Sequence, residues 1–394
     1  MNAATQQLLA DLIWVQPELL IAGFALLGVL IGAAFGDKAA NFLALIGAAV
    51  FAAAGVMAFQ FRPDAPTEIF HGALTIDGFG AFAKTIMGLS AAVTLLMSAD
   101  HFNRLKDHRF ELSLITAMAV LGFFIMASAN NLMTLYLGVE LQSLSSYVLA
   151  AFRRDEARSS EAGLKYFVLG ALSSGVLLYG CSLVYGFSGS TQFDVIAHAP
   201  QGVGMIFGLV FVICGIAFKM SAAPFHMWTP DVYEGAPTPI TALFAAAPKV
   251  AAVALMARVL YGPFGAFESS WQQVIEALAA ISLLVGSFAA LVQTNIKRLM
   301  AYSSIANIGF VLLGLAAGKT FGAPAALIYM ALYLPMTIGA FAMILSLRHN
   351  GEMSEQISDL AGLGARRPWM AGILSVLFFS LAGIPPLAGF FGKF

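Results

Sequence analysis

Charge and cysteine are both scarce in this chain of 394 residues. Only 10% of its residues are Asp, Glu, Lys or Arg, whereas 60% are apolar. An ordinary soluble domain carries about 25% charged residues, so the composition excludes that class and indicates a polytopic membrane protein. The net charge of -1 gives no basic field, and no nucleic-acid motif is present, which excludes a nucleic-acid-binding protein.

The chain also has few side chains that hold redox cofactors. Its two cysteines, Cys181 and Cys214, lie in apolar segments and are not spaced as a CxxC pair, so we interpret them as small core residues. No glycine-rich phosphate loop follows a strand. Only His226 among the six histidines lies near a membrane segment, which argues against a haem held by two histidines. We expect no redox cofactor and no metal site on this chain.

Apolar segments long enough to cross a bilayer recur along the whole sequence. A spanning helix needs about 20 mostly apolar residues, and this rule predicts twelve transmembrane helices. The predicted spans are 18–36, 39–61, 77–99, 110–128, 130–152, 161–187, 203–224, 238–260, 271–293, 296–317, 323–347 and 368–394. No Lys or Arg precedes Lys38 and no small-residue cleavage site follows the first segment, so we expect that segment to stay in the mature protein.

Basic residues divide unequally between the loops on the two sides of the membrane. Twelve lie on one side: Lys38, Arg104, Lys106, Arg109, Arg153, Arg154, Arg158, Lys297, Arg298, Arg348, Arg366 and Arg367. Three lie on the other: Arg62, Arg258 and Lys319. Short cytoplasmic loops are enriched in Lys and Arg, so the first side is predicted to be cytoplasmic and the N-terminus to lie on the outer side.

Four charged residues lie near the middle of predicted helices: Glu140, Lys219, Lys249 and Lys393. A charge at the centre of a bilayer costs about 2.5 to 3.5 kcal/mol on insertion scales, so such residues usually face water, a partner or a transported ion. We interpret them as parts of an ion path. The alternative is a static buried ion pair that only fixes the packing of the helices.

Three further residues, Lys84, Lys165 and His226, are less strongly indicated as parts of the ion path. Lys84 and Lys165 lie near predicted helix starts, where a long side chain can snorkel to the interface, and we prefer this interpretation for Lys84. Lys165 has two alternatives, because it can pair with Glu161 four residues before it or approach Glu140 on the neighbouring helix. His226 is either an interfacial residue or a proton relay, since histidine titrates near neutral pH.

Proline interrupts two of the helices that carry lysine. Pro224 follows Lys219 by five residues, and Pro385 and Pro386 precede Lys393. Proline removes a backbone donor and clashes with the preceding turn, so the carbonyls that it frees need other partners. Broken helices are typical of transporters built from inverted repeats, and one Pro-broken, Lys-bearing helix in each half of the chain hints at such a repeat.

Long stretches around these residues carry a family resemblance. They read YLGVELQSLSSYVLAAFRR, FKMSAAPFHMWTPDVYEGAPTPITALFAAAPKV, QTNIKRLMAYSSIANIGF and GIPPLAGFFGKF. These stretches resemble the proton-translocating membrane subunits of respiratory complex I, a family shared with the large subunits of multisubunit Na+/H+ antiporters. The resemblance covers roughly residues 75 to 394. It implies an all-α fold with N-terminal helices in 1–109 and antiporter-like inverted repeats in 110–260 and, incompletely, 261–394.

The resemblance implies that Glu140, Lys219, Lys249 and Lys393 translocate protons, with Lys165 and His226 as further candidates. Burial opposes the charged form of a lysine, and a nearby carboxylate favours it. Our hypothesis is that Glu140 holds Lys219 protonated until redox chemistry elsewhere separates the two, after which the proton passes to Lys249 and then to Lys393. Candidate polar residues along the way are Ser143, Ser145, Tyr147, Ser303 and Ser304.

The family also implies partners and a location. Flavin and iron–sulfur clusters are expected only in partner subunits, and quinone only at the level of the complex. The expected neighbours are other membrane-arm subunits, namely an antiporter-like paralogue and small helical subunits, together with the lipid bilayer. The expected location is the bacterial inner, or plasma, membrane.

Two features depart from the family pattern. Its members usually have about fourteen helices, whereas this sequence ends just after Lys393, so we expect a C-terminal segment to be missing. Asn307 stands where the family often has a histidine. Asparagine cannot carry a proton as histidine does, so a relay there needs water or other residues.

Other function classes stay open at this point. A subunit of a Na+/H+ antiporter would use the same lysines with an ion gradient, but Glu140 is the only acid at membrane depth, and a sodium site favours clustered carboxylates and carbonyls. A scaffold subunit without transport would tolerate Met or Leu at the central lysines. A solute carrier is disfavoured, because no clustered aromatic or carboxylate pocket is evident.

Overall fold

The computed structural model describes residues 3–200, 202–349 and 352–394. Its first nine helices are α1 (Ala3–Leu12), α2 (Gln16–Phe35), α3 (Ala40–Gln60), α4 (Gly78–Leu105), α5 (Glu111–Ser128), α6 (Leu132–Ala150), α7 (Ala157–Ser188), α8 (Phe193–Ala197) and α9 (Val203–Met220). The other nine are α10 (Trp228–Gly235), α11 (Thr238–Phe244), α12 (Ala247–Tyr261), α13 (Glu268–Leu291), α14 (Ile296–Ala316), α15 (Lys319–Ser346), α16 (Leu363–Arg366), α17 (Pro368–Ala382) and α18 (Ala388–Lys393). Three short 3-10 helices cover Gly36–Ala39, Gly265–Phe267 and Ile357–Leu360.

The strands of the described residues form only two small antiparallel hairpins. Strand β1 (Thr67–Ile69) pairs with β2 (Leu74–Ile76), and β3 (Arg348–His349) pairs with β4 (Glu352–Met353). Nine helical segments of the described chain are long and apolar enough to cross a membrane, and the first, 16–60, contains both α2 and α3. The prediction of an all-α polytopic membrane protein is therefore confirmed, while the count of twelve spans stays a prediction.

One predicted span is less apolar than its neighbours. Helix α6 coincides with the predicted span 130–152 but is not among those nine segments. Its sequence carries Glu140, Gln142 and several hydroxyl side chains, which lower its hydropathy. A helix of this kind needs protein on the face that bears the polar groups, because lipid offers them no hydrogen bonds.

Three lysine-bearing segments are interrupted, not two as predicted. Helix α9 ends at Met220 before α10 begins, and α17 ends at Ala382 before α18 begins, so both interruptions predicted from proline are present. The predicted span 238–260 matches one apolar segment long enough to cross a membrane, Thr238–Tyr261, but within it the helix is divided between α11 and α12. The cause is Pro248, which takes a first-turn position of α12, where a missing backbone N–H is tolerated.

The loops gather at two ends of the helical bundle. At one end Arg153 lies 3.7 Å from Asp107, and Arg158 lies 3.2 Å from Glu355. These contacts join loops that carry the residues predicted to be cytoplasmic, and we call this the basic end. At the opposite end the guanidinium of Arg258 lies 2.8 Å from the Asp77 carboxylate, which caps the start of α4.

The middle of the bundle is formed by α11 and α12. The apolar stretch that they share is wholly buried inside the protein. Helix α12 packs against α4, α5, α9 and α15. A helix that is apolar on all sides belongs in a core, whereas the outer helices expose large apolar side chains as expected of surfaces that face lipid. Lys249 lies in the first turn of α12 and is therefore placed at the centre of the molecule.

Lys84 does not snorkel to an interface, so that interpretation is wrong. Its side chain is buried, with 3% of the residue exposed, and its Nζ lies 2.5 Å from Oε1 of Glu18. Glu18 is the acidic residue in the first turn of α2 and is also buried. The two residues form an internal ion pair among the N-terminal helices, which sequence position alone did not indicate.

Replacing Lys84 alone is expected to destabilise the protein strongly. Removing one member of a buried ion pair leaves the other charge uncompensated and costs about 3 to 5 kcal/mol, whereas replacing both by apolar residues is often neutral. Lys84→Met should therefore lower the melting temperature in detergent, and the double variant Lys84→Met with Glu18→Leu should recover most of it. An unchanged melting temperature in the single variant would contradict a buried pair.

Candidate functional site

The first buried lysine is held by hydroxyl groups of α6. Lys219 lies in the last turn of α9 and is 4% exposed. Its Nζ donates to Oγ of Ser143 at 2.7 Å and to the hydroxyl of Tyr147 at 3.4 Å. The structure therefore joins Lys219 to two residues that the sequence suggested as polar steps on the path.

The Ser143 hydroxyl is used to its full hydrogen-bonding capacity. It donates to the carbonyl of Val139 at 2.5 Å and accepts from Nε2 of Gln142 at 2.8 Å as well as from Lys219. A hydroxyl has one donor and two acceptor lone pairs, so no further partner can be added without losing one of these. The position of the Lys219 ammonium is thus set by a rigid local arrangement on α6.

Glu140 lies one turn before Ser143 on the same helix. Within the described chain its carboxylate makes no ion pair within 4.0 Å, and its buried Oε1 has no hydrogen-bond partner. The structure thus brings Glu140 to a neighbouring turn of the helix that holds Lys219, without joining the two charges. That Glu140 holds Lys219 protonated in another state stays a prediction.

The second buried lysine, Lys249, binds the C-terminal end of α9, where that helix is interrupted. Lys249 is 1% exposed, and its Nζ donates to the carbonyl of Met220 and to Oγ of Ser221, each at 3.1 Å. The last carbonyls of a helix lack partners within the helix and form the negative end of its dipole. An ammonium group is well suited to this position, and here it supplies partners that the interruption removes.

The third lysine repeats this arrangement in the second half of the chain. Lys393 Nζ donates to the carbonyls of Leu381 and Ala382, at 2.8 and 3.2 Å, where α17 ends. It also lies 4.7 Å from the centre of the Phe310 ring. The approach of α18 to α17 requires glycine at 389, because a Cβ there would lie 1.7 Å from the carbonyl oxygen of Ser380.

The acceptors of these three ammonium groups separate them from the other buried or half-buried lysines. Lys84, Lys165 and Lys297 each have a carboxylate within 3.0 Å. The described chain gives Lys219 and Lys249 only uncharged oxygen partners. Burial disfavours the charged form of a lysine. When Lys219 or Lys249 loses its proton, its partners are uncharged, so no buried carboxylate loses its counter-charge.

A second polar connection lies between the Lys249 and Lys393 regions. The hydroxyl of Tyr333 donates to Oγ of Ser304 at 3.0 Å, and that of Tyr329 donates to Oδ1 of Asn307 at 2.6 Å. Tyr329 also lies against α18, since a Cβ at Gly392 would be 3.2 Å from its ring. These hydroxyls lie beside Asn307 and Ser304 of α14. Sequence analysis missed both tyrosines, although their spacing of four places them on one face of α15.

The start of this connection lies close to Lys249. The Lys249 Nζ is 5.9 Å from the centre of the Tyr233 ring, and the buried Tyr233 hydroxyl has no hydrogen-bond partner in the described chain. A buried hydroxyl without a partner is rare in folded proteins and calls for a specific explanation. Ser304 and Tyr333 lie near enough to the Tyr233 hydroxyl to interact with it, so Tyr233 continues the polar connection from Lys249.

Lys165 and His226 are placed differently from the central lysines. Lys165 lies at the basic end, where its Nζ is 2.8 Å from Glu161 and 2.9 Å from Asp231. Of its two predicted alternatives the structure has the pairing with Glu161, to which it adds Asp231. His226 is half-buried in the segment between α9 and α10, and the described residues show no hydrogen bond from it to either central lysine. No group of three or more His, Cys, Asp or Glu in the described chain is placed to hold a metal.

Helices that are broken at membrane depth are typical of transporter folds. Residues 129–394 match the family described as NADH:quinone oxidoreductase/Mrp antiporter, TM. The chain is 50% identical over 384 residues to NADH-quinone oxidoreductase subunit N of Rhodospirillum rubrum, an alignment that covers 96% of this chain and 79% of that protein. The chain therefore belongs to this family of multi-pass membrane subunits and, within it, to the group of subunit N.

Solved structures of related chains have the same fold. A chain of respiratory complex I from Thermus thermophilus has a TM-score of 0.81 and 33% identity, covering 96% of this chain and 81% of that one. A chain of the Mrp complex from a Dietzia species also has a TM-score of 0.81, with 97% of this chain and 73% of that one covered, but only 20% identity. The second likeness shows the fold alone.

Asp231 is expected to make part of the stability depend on pH. Burial opposes its ionisation, but hydrogen bonds from Lys165 and Arg298 outweigh burial and hold the pKa of its carboxyl below the usual range. An acid with a lowered folded-state pKa stabilises the fold above its unfolded pKa of about 3.9, and this contribution is lost as the pH falls through the lower folded value.

Asp231→Asn should therefore lower the melting temperature at neutral pH and flatten its decline in acid. The measurement is thermal unfolding in detergent as a function of pH, from neutral to below the carboxyl pKa. Asp155→Asn is the control, since Asp155 is 88% exposed and lies 3.8 Å from its partner Arg109. Equal acid dependence in the Asp231 variant and the wild type would contradict the assignment.

Proposed function

We propose that this chain is the proton-translocating, membrane-arm subunit of an NADH:quinone oxidoreductase. Its relatives at about half identity carry the name of subunit N of that enzyme, as in Rhodospirillum rubrum at 50%. The single observation that carries the proposal is a set of three ammonium groups, buried at Lys219 and Lys249 and half-buried at Lys393, that bind hydroxyl and carbonyl oxygens at interrupted helices. Such groups can release and accept a proton without leaving a paired carboxylate exposed to the apolar interior.

The first transfer takes place between Lys219 and Lys249. The acceptors of Lys249 are residues 220 and 221, which directly follow Lys219 in the chain. Burial in a low-dielectric interior disfavours the charged form of each ammonium group, so two protons on these two lysines are less favourable than one. A proton that reaches Lys219 from the side of Glu140 therefore promotes transfer onward once Lys249 is empty.

The second transfer runs through the tyrosine connection toward Lys393. Hydroxyl groups both donate and accept, so Tyr333, Ser304 and Tyr329 can pass a proton along a chain of hydrogen bonds that water completes. Asn307 orients the Tyr329 hydroxyl without carrying the proton itself. In this proposal the tyrosine hydroxyls carry the proton past position 307, where asparagine cannot carry it.

Glu140 provides the switch in this proposal. Moving one proton against 100 mV requires about 2.3 kcal/mol. Separating unit charges from about 4 Å at an effective dielectric constant near 20 changes their energy by about 4 kcal/mol. Formation and loss of an ion pair between Glu140 and Lys219 is therefore large enough to drive one transfer. Redox chemistry in partner subunits supplies that energy, and no redox step takes place on this chain.

The assembly and its orientation follow from the same assignment. The chain lies in the bacterial inner membrane among other membrane-arm subunits, namely an antiporter-like paralogue and small helical subunits, with its basic end in the cytoplasm and its N-terminus outside. Flavin, iron–sulfur clusters and quinone bind to other subunits of the complex. The alternative of a Na+/H+ antiporter subunit has weaker support, because the likeness to the Mrp chain shows the fold alone.

The assembly that copurifies with this chain in mild detergent is expected to contain flavin and iron in fixed ratio to it. The measurement is flavin fluorescence after denaturation together with iron analysis of the purified complex. Recovery of membrane partners with neither flavin nor iron would contradict the oxidoreductase assignment and favour a cation/proton antiporter.

Lys219→Ala and Ser143→Ala are expected to reduce proton pumping while the complex still assembles and oxidises NADH. The first variant removes the proton carrier, and the second removes the hydroxyl that positions it, so the loss should be larger in the first. The measurement is the ratio of protons moved to NADH oxidised in sealed vesicles.

Ser90→Ala is the matched control for the serine variant. Ser90 is likewise buried, but its hydroxyl donates only within α4, to the carbonyl of Met87 at 2.9 Å. It should pump as the wild type does. A normal ratio in Lys219→Ala would refute the role of the lysine.

A further inference from the structure

Eight charged side chains at the basic end form one unbroken chain of ion pairs. In order along the chain of contacts they are Glu161, Lys165, Asp231, Arg298, Glu234, Arg158, Glu355 and Lys297. Each residue lies between 2.7 and 3.4 Å from the next. Four of the eight are acidic and four basic, so this basic-end network carries no net charge.

The network joins the two halves of the chain. Arg158 and Asp231 belong to α7 and α10, whereas Arg298 belongs to α14 and Glu355 to the segment before the 3-10 helix Ile357–Leu360. An isolated surface ion pair contributes at most about 1 kcal/mol, but several linked charges with a buried member are a different case. Lys297 is such a member, with 2% of its residue exposed.

Helix α10 is the element most dependent on the network. It has eight residues, and both of its acids, Asp231 and Glu234, bind Nη1 of Arg298, at 2.7 and 3.0 Å. Its C-terminal side is bound as well, since Lys297 Nζ donates to the carbonyl of Ala236 at 2.9 Å. Lys297 and Arg298, which are adjacent at the start of α14, therefore bind α10 and the residue that follows it from one side.

The other side of α10 is tied to the turn that carries Lys219. Trp228, its first residue, donates from Nε1 to the carbonyl of Phe218 at 2.9 Å. The indole also stacks on the ring of Tyr166, with centroids 4.3 Å apart. A displacement of α10 is thus transmitted to the backbone immediately before Lys219, and Lys249 binds the backbone immediately after it.

We propose that Lys297 and Arg298 are positioning residues that set the geometry of the interrupted helix, and that through α10 they fix the alignment of Lys219 with Lys249. The proposal rests on the proposed function and adds to it the route by which movement of the second half of the chain reaches the proton carriers of the first. Because the network is neutral, it can shift or open without leaving unbalanced charge at the end of the bundle.

The test uses Arg298→Gln in the assembled complex, with two measurements. Hydrogen–deuterium exchange in peptides that cover 221–235 should become faster, and the ratio of protons moved to NADH oxidised should fall while the rate of NADH oxidation is kept. Arg298→Lys should restore both, because Asp231 and Glu234 bind the same nitrogen of Arg298, which one ammonium group can replace.

Arg104→Gln is the matched control at the same end. Within the described residues Arg104 pairs only with Asp100, four residues earlier on α4, and the two side chains are 63% and 64% exposed. It should change neither measurement. Glu234→Gln is the milder variant if Arg298→Gln does not assemble, since it removes one of the two acids bound to Arg298, and intermediate exchange would support the proposal.

Exchange and pumping ratio in Arg298→Gln equal to those of Arg104→Gln would overturn the proposal. So would unchanged exchange in Glu234→Gln. This failure is distinct from failure of the proposed function, which would show as normal pumping in Lys219→Ala. A loss of pumping in Arg298→Gln that Lys does not restore would also count against a positioning role for the charge.

Discussion

An ammonium group bound to the open carbonyl end of a broken helix is the interaction on which this structure depends. A helix cannot stop inside a membrane protein unless its last carbonyls find donors. Lys249 supplies them to α9, and Lys393 supplies them to α17. The two lysines therefore make the interruptions possible, and the interruptions in turn hold a charge where lipid and apolar side chains would otherwise exclude it.

This dependence explains why stability and function meet in the same residues. The helix end offers partial negative charge from its dipole, worth up to about 2 kcal/mol to a cation in a favourable, partly buried position. That is enough to place an ammonium but far less than a bound carboxylate offers. Lys84 and Lys297, which have carboxylate partners, hold helices together. These two groups of lysines therefore differ in what their ammonium groups bind, a carboxylate or an uncharged oxygen, and not in how deeply they are buried.

Composition and spacing predicted much of this architecture. The apolar runs located the helices, and proline located two of the three interruptions, because both effects are local in sequence. The Lys84–Glu18 pair was missed since it depends on how distant helices pack, and the interpretation of Lys84 followed only its place in its own helix. Tyr329 and Tyr333 were missed for a similar reason. Their value comes from facing Ser304 and Asn307, which no single-helix pattern reveals.

The stacking of Trp228 on Tyr166 gives the molecule an internal optical reporter. The indole is 2% exposed, lies nearly parallel to the phenol ring at an angle of 10°, and donates its N–H across the gap between α9 and α10. Indole emission responds to the loss of a hydrogen bond and of a stacked neighbour. In a variant that lacks the other three tryptophans, Trp14, Trp271 and Trp369, fluorescence from Trp228 would therefore follow the interrupted helix in real time, without any label attached to the protein.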